Sequence, residues 1–172
     1  MSVFMISQLL VGVALIFDLL SFQFKNRKYI LLSIAAACFF MAAHFMLLDH
    51  WTAACLMWLS TFRYFVSGYT TSKKWMYFFL IATVIGTAWT YSGYISFVSF
   101  GATFVLTLAA FCETDKRLRE VSFLGVSLWI IHNILVGSPS AIALESLFLM
   151  SNAVGYYRYY IRKPIAVPCR QE

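Results

Sequence analysis

The 172-residue chain is 62% hydrophobic and only 12% charged, whereas soluble domains run at about 45–50% apolar and about 25% charged. There is too little polar side chain to cover a soluble globule of this size, which describes an integral membrane protein and excludes soluble enzymes, coiled coils, disordered tails and soluble nucleic-acid binders. The net charge of +6 is of the kind that basic membrane proteins place on their cytoplasmic loops.

A bilayer core about 30 Å thick takes roughly 20 apolar residues per helix, with about 17 tolerated, and seven runs qualify. The first, Val3 to Gln23, has neither a basic leader nor an A-x-A-like site before residue 25, so it is expected to be a retained helix. Its one acid, Asp18, is expected to be structural and paired with Lys25 or Arg27. The second run, Tyr29 to Leu48, contains Cys38 and His44. The third, Trp51 to Tyr69, contains Cys55, Trp58 and Arg63. Trp75 to Tyr91 forms the fourth and Tyr94 to Cys112 the fifth. The sixth, Val121 to Val136, contains Trp129, His132 and Asn133, and the seventh, Ala141 to Ile161, contains Glu145 and Asn152. The turns Asp49-His50, Ser92-Gly93 and Gly137 to Ser140 leave no room for a folded domain. Residues 1–172 therefore read as a single membrane domain with a tail at 162–172, and function must sit inside the bundle. No CxxC occurs and Cys169 lies in the tail, so no disulfide framework is expected. Trp51, Trp75, Tyr91 and Tyr94 fall near helix ends, as interfacial aromatics do.

Lys25, Arg27 and Lys28 follow the first run, Lys73 and Lys74 the third, and Lys116, Arg117 and Arg119 the fifth, while Arg158, Arg162, Lys163 and Arg170 close the seventh. All cations except Arg63 thus gather on one side. The positive-inside rule puts the N-terminus outside and the C-terminus in the cytoplasm. The basic charge reads as topology, and no nucleic-acid partner is expected.

Sliding the sequence against itself by 88 residues lays run one on five, two on six and three on seven without a gap, leaving run four unpaired. His44 then falls on His132, Lys28 on Lys116, Leu47 on Leu135, Leu56 on Leu144 and Tyr69 on Tyr157. Histidine is scarce here, so the His pair carries most of the weight. The expected fold is an all-α integral membrane protein with seven transmembrane helices in a three-plus-one-plus-three layout: a first repeat over 3–69, a linker helix over 75–91 and a second, parallel repeat over 94–161. Parallel repeats about an axis along the membrane normal are one common way to build a transporter, with the solute near the midplane. The layout with N-out topology resembles the SWEET sugar transporters and the wider PQ-loop family. The likeness is of architecture, since the chain has no Pro-Gln dipeptide and its prolines, Pro139, Pro164 and Pro168, lie outside the first helix of either repeat.

The run Trp129-Ile130-Ile131-His132-Asn133, then Gly137-Ser138, then Glu145, Phe148-Leu149, Asn152 and Arg158 resembles the YgjV family of bacterial inner membrane proteins. His44 with Leu47-Leu48, and Arg63, also fall where that family has such residues. The resemblance implies a multi-pass protein of the bacterial inner membrane.

The polar residues within the runs are the candidates for function. Arg63 lies 12 positions after Trp51, about 18 Å into the core at 1.5 Å per residue. There an arginine costs at least about 2.5 kcal/mol and should face the bundle interior, unless it snorkels to the headgroups. Glu145 and Asn152 are two turns apart and share a helix face. Arg63 is the plausible cationic partner of Glu145, the alternative being a neutral structural acid. Asn152 offers donors and acceptors to a polar solute or, equally, to an interhelical bond. His44 and His132, with Asn133 beside the latter, are candidates for proton coupling or ordinary interfacial residues. With no HxxxH or HxxE spacing and no cysteine at their depth, a metal site is not expected.

The seventh run has no lysine for a retinal Schiff base and no GxSxG occurs, so no enzyme is expected. The reading that follows is a transporter of a small polar solute by alternating access between the two repeats. Arg63, Asn152, Glu145 and Asn133 would supply polar recognition and Trp58 and Trp129 an apolar wall. Arg63 favours an anionic or carboxylate-bearing solute. No cofactor is expected, and homo-oligomerisation stays open. The alternative is a non-transporting scaffold or regulatory protein whose buried polar residues only fix helix pairing.

Overall fold

The computed structural model describes residues 3–47, 51–89, 91, 93–137 and 139–162. The expected Asp49-His50 turn, Ser92, Ser138 and the tail from Lys163, with Cys169, Arg170 and the prolines Pro164 and Pro168, lie outside the described residues. Seven α-helices follow in chain order, with no strand among the described residues: α1 Val3–Ser21, α2 Arg27–Leu47, α3 Trp51–Tyr69, α4 Lys73–Trp89, α5 Tyr94–Ala110, α6 Asp115–Val136 and α7 Pro139–Tyr156. Each overlaps one apolar run, and a helix satisfies its backbone hydrogen bonds within the segment, as an apolar surrounding requires. By length and composition, α2 and the stretch Asp115–Leu135 of α6 are each sufficient to cross a bilayer, and α1 and α5 are shorter apolar helices.

Most boundaries fall within two residues of the hydropathy reading, and two differ by more. α6 begins at Asp115, six residues before the apolar run, because Thr114 caps it: the Thr114 hydroxyl accepts from the Arg117 N–H at 3.3 Å. Lys116, Arg117, Arg119 and Glu120 are therefore helical, although their charge masks this in a hydropathy window. At the other end, Gly137 sits at φ 73° and returns its N–H to the Asn133 and Ile134 carbonyls, a left-handed cap that favours glycine. α7 stops at Tyr156 and continues as a single π-helical turn, Tyr157–Ile161, closed by the Arg162 N–H to the Tyr157 carbonyl at 2.8 Å. The wider turn re-aims Tyr159 and Tyr160. Tyr159 donates to the Gln23 carbonyl at 2.6 Å, and Tyr160 donates to the Asp115 carboxylate.

α2 packs between α1 and α3, and α6 packs between α5 and α7. The two sets touch through α1 with α7 and through α3 with α5, while α4 lies mainly on α5. The apolar core, including Phe22, Ile30, Leu31, Tyr64, Phe111 and Leu118, gathers toward the end of the bundle where the cations cluster.

Candidate functional site

Arg63 lies in α3 and is only 6% exposed. Its Nη1 donates to Thr107 Oγ1 of α5 at 3.0 Å, and its guanidinium lies over the Tyr64 ring, 4.7 Å from the centroid. Its Nε has no hydrogen-bond partner. No carboxylate comes within ion-pair distance of it among the described residues, so the expected Arg63–Glu145 pair is not formed. Glu145 is half-buried in α7, and Asp18 lies in α1, which packs against it. Asp18 is half-buried in α1, and the inner-surface pairing expected for it does not occur: Lys25 reaches Asp115 at 3.7 Å and Arg27 binds backbone.

Asn152 is fully buried. Its Nδ2 donates to the Arg119 carbonyl at 2.9 Å, and its Oδ1 is without a partner. Ser151, beside it, donates from Oγ to the Leu19 carbonyl at 2.5 Å and accepts from Gln23 Nε2 at 3.0 Å, tying α7 to α1. Trp58 contacts Phe39 and Phe62, both exposed on the outside of the bundle, so it does not wall the Arg63 region. Trp129 packs edge-on against His132, 5.1 Å between centroids. His132 Nδ1 is buried without a partner, and the Asn133 carbonyl serves the Gly137 cap. His44 is buried and donates from Nδ1 to the Ser7 carbonyl of α1 at 3.0 Å. A bond of that kind between helices contributes about 0.6 kcal/mol and up to about 1.7. His44→Ala should therefore lower the melting temperature in detergent by a few degrees, and an unchanged value would remove the bond from the stability of the α1–α2 pair.

A cavity in the core has about 10 Å³ of free volume and is lined by Leu31, Ile34, Tyr64, Leu106 and Phe148, among others. It has room for about one water, and neither Arg63 nor Asn152 lines it.

Below this level, at the basic end, two arginines hold helix ends across the bundle. Arg27, opening α2, donates from Nη2 to the Ala110 carbonyl at 2.6 Å and from Nε to the Cys112 carbonyl, at the end of α5. Arg119, in the second turn of α6 and 0% exposed, donates from Nη1 to the Phe22 carbonyl at 2.7 Å and from Nη2 to the Phe24 carbonyl, at the end of α1. Its Nε is 3.9 Å from Asp115. The carbonyl ends of helices carry partial negative charge, and guanidinium is the side chain that satisfies two of them at once. Gly155 of α7 packs directly on this junction, where a Cβ would overlap the Phe22 carbonyl oxygen and Arg119 Nη1. Hydropathy reading took Arg119 for a loop cation, and nothing in the sequence marks backbone carbonyls as its partners.

Compared with known proteins, a family model described as a bacterial inner membrane protein, Imp-YgjV, matches residues 5–163. The chain is 28% identical over 152 residues to the inner membrane protein YgjV of Escherichia coli strain K12, covering 88% of this chain and 79% of that relative. No solved structure matches significantly.

Proposed function

The chain belongs to the YgjV family of bacterial inner membrane proteins, and from that premise we propose that it carries a small polar, anionic solute across the inner membrane by alternating access between two three-helix halves. The observation that carries this reading is Arg63. A buried guanidinium met by the neutral side chains of Thr107 and Tyr64, with no carboxylate at ion-pair distance and an unfilled Nε, is a cation with bonding capacity left over, and inside a membrane such a group is expensive unless an anion or water meets it. A planar fork suits a carboxylate bidentately. Asp18 and Glu145, on the facing α1 and α7, are the candidates to take up the solute's remaining polarity or a coupling proton, and Asn152, through its free Oδ1, is a further contact.

The division into halves is supported by the contacts between them. Arg63 meets Thr107 and Ser151 meets Leu19, and these two pairs are the same two positions in the 88-residue register with the halves exchanged. In this reading the N-terminus is outside, the basic end faces the cytoplasm and α4 is the linker.

Thermal unfolding of the purified protein tests the proposal. Small carboxylates among a panel of sugars, amino acids, nucleosides and organic acids should raise the melting temperature. Saturation at 100 times Kd gives about 2.7 kcal/mol, or roughly 5–10 °C for a chain of this size. Arg63→Leu should abolish the shift and Arg63→Lys should keep little of it. The tight packing, with a cavity of about 10 Å³ and Asn152 bonded to backbone, favours a second reading, the non-transporting scaffold. It requires that no solute shift the parent protein and that Arg63→Leu raise the melting temperature.

A further inference from the structure

We propose that Arg27 and Arg119 together form the cytoplasmic gate of this protein, a crossed clasp that holds the basic end of the bundle shut and is released when that end opens. The inference rests on the alternating-access reading above and adds to it the element that moves. The clasp is reciprocal. Arg27, from the second helix of one half, takes the Ala110 and Cys112 carbonyls ending the first helix of the other. Arg119, from the second helix of that other half, takes the Phe22 and Phe24 carbonyls ending α1. Residues 22 and 24 fall on 110 and 112 in the 88-residue register, so the two carbonyl pairs are equivalent positions bound by opposite halves. The arginines themselves are one turn apart in that register, Arg27 on Asp115 and Leu31 on Arg119, which shows that the carbonyl target is shared although the arginine's own position is not.

Three features fit a gate better than a permanent brace. The contacts join the halves at one end only. From Thr107, the Arg63 partner, to Cys112 the helix descends roughly 7–8 Å at 1.5 Å per residue, so the clasp closes the route directly beneath Arg63. Finally, the bonds go to carbonyls and not to carboxylates, so water can replace the protein partner on each as the ends part, unlike a buried ion pair whose separation strands two charges. Each arginine then travels with its own helix, Arg119 kept in place by Asp115 one turn before it.

The test uses Cys38 as the only thiol, with Cys55, Cys112 and Cys169 changed to serine; the clasp uses the backbone of Cys112 and keeps it. Cys38 packs against the apolar core from α2, above the clasp. Its reaction with a membrane-impermeant methanethiosulfonate is measured in vesicles of either orientation, without any solute. Arg119→Gln should speed labelling from the basic face by about tenfold or more and Arg27→Gln by about three- to fivefold, as loss of a charge-assisted hydrogen bond from the closed state implies, and both should leave the rate from the opposite face unchanged. Unchanged labelling in both variants overturns the gate, and so does an equal gain from both faces, which is general loosening. Should Arg119→Gln fail to fold, the half-buried Arg27 decides alone: Arg27→Gln without a gain from the basic face makes the clasp a brace. Because the readout needs no solute, a gain with no carboxylate binding retires the solute assignment and not the gate, and binding without a gain does the reverse.

Discussion

Gly155→Ala should be the most damaging single-methyl change in this protein. The added Cβ would occupy the space of the Phe22 carbonyl oxygen and of Arg119 Nη1, and neither can yield cheaply: one is backbone at the end of α1, the other the tip of a fully buried side chain already bonded to that carbonyl. Overpacking alone costs about 1–3 kcal/mol, and forcing the guanidinium off its carbonyls adds the desolvation penalty of groups left unpaired, about 1–3 kcal/mol. A loss of about 3 kcal/mol or more is expected, which for a chain of this size is a fall of about 6–12 °C in melting temperature, or failure to accumulate in the membrane. Gly125→Ala is the control. Its Cβ would meet mainly the side chain of Leu106, which can rotate away, so its loss should be clearly smaller. Equal losses at the two positions would show that packing against α7 does not hold the junction.

Arg119→Leu should destabilise more than Arg27→Leu. Replacing a buried ion pair with apolar residues is often harmless because both charges leave together, but here the partners are the Phe22 and Phe24 carbonyls, which no substitution removes. Leucine would strand them at a helix end that is already short of donors, for a loss of about 3 kcal/mol. Arg27 is only half-buried, so water can reach Ala110 and Cys112 when it is gone, and the loss there should be about 1 kcal/mol or less. Arg119→Lys should fall between, since an ammonium is a single compact charge and cannot serve two carbonyls in a planar fork. Melting curves of the three variants in one detergent measure the order directly. An Arg119→Leu protein as stable as its parent would mean that burial of the charge costs as much as its bonds return.

The helices were legible because each overlaps a long, mostly apolar run, in which a helix bonds its own backbone within the segment. Their ends were less so: charge hid the first turns of α6, and no residue pattern announced the π-turn that brings Tyr159 to Gln23. Arg63 was legible as a buried cation, because depth follows from counting residues. Its true neighbour, Thr107, was not, since hydroxyls are common in membrane helices and the pairing of α3 with α5 is a tertiary fact. The arginine clasp was hidden for a deeper reason. Its acceptors are peptide carbonyls, which every residue carries, so only the fold distinguishes the four that are used.

A junction built from one arginine and two carbonyls on each side asks nothing of the rest of the chain. The first half contains both components, Arg27 and the carbonyls of residues 22 and 24, so two copies of a single three-helix unit could close on each other in the same manner, as a symmetric pair. In the 88-residue register Arg119 stands one turn along from the place of Arg27, and Asp115, which falls on Arg27, meets Lys25 and Arg119. Gene fusion followed by such drift would convert an interchangeable interface into one that admits a single arrangement of the two halves.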